Sequence, residues 1–267
     1  MATVKKLRVK PGKFDLQNWD AGDTSLAPGG KAETTEAGDE VGARLAELQE
    51  LLYAEHRRKL LVVLQGMDTS GKDGTIRHVM RGISPQSVRV TSFKKPTEPE
   101  LEHDYLWRVH QAVPGAGEIG IFNRSHYEDV LVVRVHDLVP ARAWKLRYEQ
   151  INDFERMLAA NGTTILKFFL HISREEQLER LQARIDDPTK RWKFQHGDIE
   201  ERKLWDQYQK AYEDAIRKTS TEHAPWYVVP ANAKWYRNWV VGSVIVRTLE
   251  GLKMKYPQPD LTGVVIE

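Results

Sequence analysis

Apolar residues along this chain follow two alternating spacings. Val41, Leu45, Leu48, Leu51 and Leu52 recur at helical spacing with charged residues between them, which predicts an amphipathic helix to about His56. It leads directly into LLVVL, residues 60–64, a continuous apolar run with β-branched residues at its centre, as in a strand covered on both faces of a parallel sheet. Further strands are predicted at 88–93, 119–122, 164–172 and 226–229, with helical periodicity at 144–160 and 198–218 and a closing helix over 235–254. The alternation predicts βαβ units and an α/β fold, a three-layer sandwich whose mostly parallel sheet carries helices on both faces.

Residues 20–40, rich in Gly, Ala, Thr and acids, read as an extended arm or loop. The expected organisation is an N-terminal arm, 1–40, and a single domain, 41–267, ending in a short polar tail from 256. At 267 residues no second domain is needed, and neither an internal repeat nor a low-complexity tract is present.

Composition narrows the functional classes. With 40% hydrophobic and 29% charged residues and no apolar run of spanning length, no membrane is involved. The opening MATVKKLRVKPGKFD lacks an apolar segment after its lysines, so no secretory signal is read and a cytoplasmic protein is expected. The absence of cysteine excludes disulfides and thiolate metal sites, and the nine histidines show no paired ligand spacing. A net charge of +2 does not point to nucleic acid, so the placement of the basic residues matters more than their number.

One segment carries decisive chemistry. GMDTSGKD, residues 66–73, matches G-x-x-x-x-G-K between a buried strand and a helix beginning near Asp73, the context a P-loop (Walker A) requires. Its glycines let successive amides point at phosphate oxygens, while the helix N-terminus and Lys72 add positive charge. Gly66, Thr69, Ser70, Gly71, Asp73, Gly74 and Thr75 are therefore phosphate- and nucleotide-binding candidates, and Asp68 and Lys72 catalytic ones. Asp73 stands where a magnesium-binding Ser or Thr is usual, and Asp68 puts a carboxylate inside the cradle. Asp68 makes sense beside polyanions if it holds Mg²⁺, directly or through water, or if it takes a proton or orients an attacking phosphate oxygen. Asp73 serves either the metal or the helix dipole.

A second motif, GIFNRSHYED at 120–129, delivers Arg124, Glu128 and Asp129 to the carboxyl end of a strand, where open α/β sheets bind ligands. Arg124 is placed to stabilise charge on a transferring phosphoryl group, the plainer alternative being a surface pair with Glu128. A third, RIDDPTKRWKF at 184–194, sets Arg184, Lys190, Arg191 and Lys193 around a proline break between helical stretches, which reads as a lid over about 184–198. Arg77, Arg81, Lys94 and Lys95 suggest a basic strip reaching beyond one nucleotide, a path for a long anionic substrate.

GMDTSGKDGT, KKPTEPE, FNRSHYEDVLVVRV and RIDDPTKRWKF, taken in order, resemble the family-2 polyphosphate kinases, and the similarity spans almost the whole chain. The resemblance implies a thymidylate-kinase-like fold and reversible, Mg²⁺-dependent phosphoryl transfer between inorganic polyphosphate and nucleotides, with Mn²⁺ as a substitute. AMP, ADP and ATP, with guanine nucleotides besides, are the implied nucleotides, and a homodimer or homotetramer the implied assembly. It assigns Asp68 and Lys72 to the P-loop catalytic pair, Arg124 to the second motif, and Arg184, Lys190, Arg191 and Lys193 to lid contacts. Members limited to nucleoside diphosphates carry E-G-R-D-A-A-G-K-G-G and D-R-S-W-Y-N-R, from which Met67, Asp73, Asn123, His126, Glu128 and Asp129 depart. This chain is similar to the subgroup that accepts both AMP and ADP. Asn123 replaces the usual acid, so Asp68 and Glu128 are the expected metal ligands. The competing readings are an ATP-dependent nucleoside monophosphate kinase and a nucleotide-binding module without turnover.

Overall fold

The predicted strands all form, and they form one sheet. In the computed structural model β1 (Lys59–Gln65), β2 (Val88–Ser92), β3 (Ile119–Asn123), β4 (Thr163–His171) and β5 (Trp226–Pro230) lie in the order β2-β3-β1-β4-β5, every neighbouring pair parallel. The LLVVL run is central, with Leu60 beside Ile119 of β3 and Thr164 of β4, and residues 60–64 are no more than 1% exposed. Parallel strands need crossovers, and helices supply them. The structure describes residues 3–264 and 266, so Met1 and Ala2 of the expected arm and Val265 and Glu267 of the expected tail lie outside the described residues.

The helices, in chain order, are α1 (Lys31–Glu55), α2 (Lys72–Val79), the short α3 (Glu98–Leu101), α4 (Trp107–His110) and α5 (Val132–Val135), α6 (Ala141–Ala160), α7 (Arg174–Asp186), α8 (Gly197–Lys203), α9 (Trp205–Thr219) and α10 (Lys234–Gly251). Helices α1 and α2 pack on α10, while α5, α6 and α9 pack together. Along β4, Lys167 and Phe169 meet α6 and α9, the period-2 spacing of one covered face. Among the described residues no helix is long and apolar enough to cross a membrane.

Two expectations need correction. Residues 31–40 are not an extended arm: α1 starts at Lys31 and runs through the expected boundary at 40/41. Its first turns lack an apolar stripe, but KAETTEAGDE holds good helix formers, and Thr34 is buried with its hydroxyl donating to the Gly29 carbonyl at 3.2 Å. The helix lies so close to α10 that a Cβ on Gly242 would sit 2.9 Å from Val41 Cγ1. The second correction concerns 198–218, which breaks at Leu204. The break lets α8 lean on α7, where Arg202 donates to the Arg174 carbonyl at 2.7 Å and to Gln177 at 2.8 Å.

The first residues close the sheet's β5 edge. The Val9 amide donates to the Trp226 carbonyl at 2.8 Å, Arg8 bridges Tyr227 in antiparallel sense, and Val4, Leu7, Val9 and Leu16 are buried. An open strand edge is a template for unwanted pairing, and this segment covers it.

Candidate active site

The loop between β1 and α2 is shaped by two glycines in backbone regions that favour glycine, Gly66 at φ 154° and Gly71 at φ 100°. A Cβ on Gly66 would lie 2.7 Å from the Leu170 carbonyl, and one on Gly71 would overlap the Arg237 guanidinium. Thr69 (φ 65°) and Arg124 (φ 61°) hold left-handed conformations without that excuse, at a cost of about 1 kcal/mol or more each, as is common where side chains are aimed at a ligand.

Two arginines grip this loop from outside. Arg180 of α7 donates to the Thr69 and Ser70 carbonyls at 2.9 and 3.1 Å and to those of Ala231 and Asn232 at 2.6 and 3.0 Å, while Glu176 holds its Nε at 2.6 Å. Arg237 of α10 donates to the Ser70 carbonyl at 3.1 Å. Because C=O and N–H of one trans peptide point opposite ways, pinning the Ser70 carbonyl outward turns the Gly71 amide inward. Among the described residues the amides of Met67, Asp68, Thr69 and Gly71 donate to no protein acceptor. The buried hydroxyls of Thr69, Ser70 and Thr75 likewise lack partners. Such a collection of unmet donors is costly unless a ligand meets it.

Lys72 folds back over the loop, its ammonium donating to the Gly66 and Met67 carbonyls at 2.7 and 3.3 Å. Burial, with Arg124 nearby, pushes its pKa down to about 8 against the pull of Asp68, Glu128 and Asp73. Across from it, Arg124 binds Asp68 Oδ1 at 2.8 Å and lies 3.9 Å from Glu128. Burial would lower the Arg124 pKa, but Glu128 and Asp68 outweigh it and keep the guanidinium charged. Glu128 is pushed up by burial, with Arg124, Lys72 and a hydrogen bond from Gln65 opposing. The P-loop and the second motif thus meet through Asp68 and Arg124.

The two departures from the common motifs touch each other: Asn123 Nδ2 donates to Asp73 Oδ1 at 2.6 Å. The contact ties the second motif to the acid on the exposed first turn of α2. Asp129 turns away to Arg147 at 3.1 Å, and burial raises its pKa to about 6 against Arg147 and Arg108. Among the described residues no three or more histidine and acidic side chains are grouped to hold a metal. Asp68 and Asp73 offer hard oxygen donors of the kind Mg²⁺ takes one or two of, completing its shell with phosphate and water.

The segment expected to form a lid starts at the end of α7. Helix α7 ends at Asp186 and Pro188 follows, as expected for a chain that cannot continue helical there. Arg184 reaches Asp198 at 3.5 Å, and burial raises the Asp198 pKa with Asp68 adding to it, so this part of the lid faces the loop. The other lid cations are held by the lid itself: Lys190 by Asp187 at 2.5 Å, Arg191 by the Ile185 carbonyl at 2.7 Å, Lys193 over the exposed Trp192 ring at 5.0 Å. Lys190 holds Asp187 down at about 2. Arg77, Arg81, Lys94 and Lys95 are exposed and make no ion pair among the described residues.

Sequence reasoning missed Arg180, Arg237 and Tyr212. Tyr212 of α9 is pushed well up by burial, then by the Glu128 charge, and so stays a neutral phenol beside the acidic residues. Arg180 lies one helical turn before Arg184, which was the available signal. Nothing in the pattern around Arg237 marks it.

Comparison with known proteins agrees with this geometry. The family model described as Polyphosphate kinase 2 (PPK2) matches residues 30–257. An AMP/ADP-polyphosphate phosphotransferase of Meiothermus ruber is 62% identical, covering 99% of this chain and 100% of its own length. An ADP-polyphosphate phosphotransferase of Rhodopseudomonas palustris is 47% identical over 96% of this chain and 92% of its own. The crystal structure of Polyphosphate Kinase 2 from Arthrobacter aurescens TC1 superposes with a TM-score of 0.94 at 48% identity, covering 97% and 92% of the two chains.

Proposed function

The chain belongs to the polyphosphate kinase 2 family, and from that premise we propose that it transfers the terminal phosphoryl group of inorganic polyphosphate to AMP and ADP, reversibly, giving ADP and ATP. One observation carries the reading. The amides of Met67, Asp68, Thr69 and Gly71 and the hydroxyls of Thr69, Ser70 and Thr75, unmet among the described residues, belong to the loop that buries Lys72, and the Asp68–Arg124 contact joins it to the second motif. That is a cradle for two polyanions meeting end to end.

An oxygen of the nucleotide's terminal phosphate attacks the last phosphorus of polyphosphate in line, a bridging P–O bond breaks, and the shortened chain leaves with the electron pair. Lys72 exchanges its loop carbonyls for the oxygens of the transferring group, and Arg124 faces the same charge from the second motif. Asp68 and Glu128 keep the two cations in register. A divalent metal, magnesium or manganese in its place, belongs to this reading, with Asp68 and Glu128 as the side chains that would hold it. Bound there, it would neutralise phosphate charge. Arg184, Lys190, Arg191 and Lys193 close over the substrates when the lid swings, excluding water. Arg77, Arg81, Lys94 and Lys95 give the polyphosphate tail a path, and guanine nucleotides, a homo-oligomer and a cytoplasmic setting complete the proposal.

Purified protein incubated with AMP, Mg²⁺ and polyphosphate but no ATP is expected to yield ADP and then ATP. Product only when ATP is supplied would replace this reading with an ATP-dependent monophosphate kinase. Binding without turnover would make the protein a nucleotide-binding module.

A further inference from the structure

Behind the second motif lies a buried ion network that the proposed reaction does not use. Lys167, in the middle of β4, is fully buried, and its ammonium donates to Glu155 Oε2 at 2.6 Å, to the Tyr127 hydroxyl at 2.8 Å and to the Thr219 carbonyl at 2.7 Å. All three of its N–H bonds therefore find acceptors. Tyr127 donates to Glu155 Oε1 at 2.9 Å, and His126 Nε2 lies 3.2 Å from the same oxygen. Thr219, at the end of α9, takes the Trp226 indole N–H at 2.9 Å. Burial first, and the Glu155 charge next, push the Tyr127 phenol well above its usual range, so it keeps its proton.

A buried ion pair is a poor source of stability, since apolar residues of similar volume are often as good or better. What this pair does uniquely is geometric. Its partners, His126 and Tyr127, sit in the turn between Arg124, which reaches Asp68 of the P-loop, and Glu128, which lies 3.9 Å from Arg124 and whose charge acts on Lys72. Ser125 is tied down as well, its hydroxyl accepting from Gln65 at 3.1 Å and from the Tyr127 amide at 3.2 Å. Three buried anchors, Ser125, His126 and Tyr127, thus separate Arg124 from Glu128, and Arg124 holds a left-handed conformation of the kind that surrounding structure must maintain.

We infer that the Lys167–Glu155 pair positions the second motif, pinning His126 and Tyr127 so that Arg124 and Glu128 keep their places opposite Asp68 and Lys72. The inference rests on the role given to Arg124 under the proposed function. Lys167 and Glu155 touch no substrate; they are positioning residues, acting through the turn.

The test is the double replacement Glu155→Leu with Lys167→Met, which removes both charges together and leaves neither buried alone. Urea unfolding is expected to show stability at or above the parent, with kcat for polyphosphate-driven ADP phosphorylation lowered at least tenfold and KM for ADP within about twofold. In an Arg124→Ala background the same double replacement is expected to lower kcat by less than threefold, because the residue it acts through is gone. Unchanged kcat in the folded double variant, or an equal loss in both backgrounds, overturns the inference. If the double variant does not fold, Tyr127→Phe, which deletes one hydroxyl, takes its place, with a kcat loss of fivefold or more expected and an unchanged kcat refuting it. Arg124→Ala alone separates the two levels: full activity there removes Arg124 from the mechanism, whatever the network does.

Discussion

Replacing Lys72 by Met should make the fold more stable while abolishing turnover. The pKa of Lys72 falls from 10.5 to about 8, and at about 1.36 kcal/mol per unit the buried charge costs about 3 kcal/mol at pH 7. Met fills similar volume without that cost, but it abandons the Gly66 and Met67 carbonyls, which offsets about 1 kcal/mol each. A net gain of about 1 kcal/mol remains at pH 7. The pH dependence is the sharper signature. For a base with a depressed folded-state pKa, the cost is complete below about 8 and fades as pH rises toward 10.5, because the unfolded chain holds the proton longer. At pH 9.5 the same expression leaves about 1.4 kcal/mol, so the advantage of Lys72→Met should shrink by about 2 kcal/mol between pH 7 and 9.5. Urea denaturation of both proteins, followed by tryptophan fluorescence at the two pH values, measures this difference. A stability difference that does not change with pH, or a variant less stable than the parent by more than about 1 kcal/mol at pH 7, would refute the reasoning. Turnover should fall at least 100-fold, since a preorganised charge on a transferring group is worth about 3 kcal/mol or more.

Gly71→Ala should raise KM for polyphosphate at least tenfold and lower thermal stability, because the new Cβ meets the Arg237 guanidinium in a backbone conformation that disfavours side chains. In an Arg237→Ser background the overlap is relieved, and equal destabilisation in both backgrounds would rule the overlap out. Arg184→Ala and Arg191→Ala should each reduce kcat more than tenfold while shifting the urea midpoint little, since one faces Asp198 at the lid's edge and the other a carbonyl of its own segment. A matched loss of stability and turnover would return the lid to a purely structural role.

The elements that announced themselves in the sequence were those whose burial is one-dimensional. LLVVL is apolar throughout because both faces of β1 are covered, and the P-loop is legible because glycines and a lysine at fixed spacing meet a need of phosphate binding. The start of α1 was not legible, because its first turns carry Thr34 rather than an apolar stripe, the close approach to α10 falling later, at Val41. Nor were Arg180 and Arg237 or the Lys167 network, which depend on side chains far apart in the chain meeting in three dimensions. The anomalies of Asp73 and Asn123 were visible as separate departures, but only the geometry shows them to be hydrogen-bonded to each other.

The central place of β1 also bears on how the protein is made. Its neighbour β4 ends at His171, 106 residues after Gln65. At about 5–20 residues per second that stretch takes on the order of 5–20 s to synthesise. For that interval an apolar segment lacks one of the two strands that will bury it, alongside a phosphate loop that still lacks Arg180 and Arg237. Recombinant yield should therefore respond to slower translation at low temperature and to a co-produced chaperone that shelters nascent apolar segments, because the residues that create the catalytic loop are left waiting for later partners.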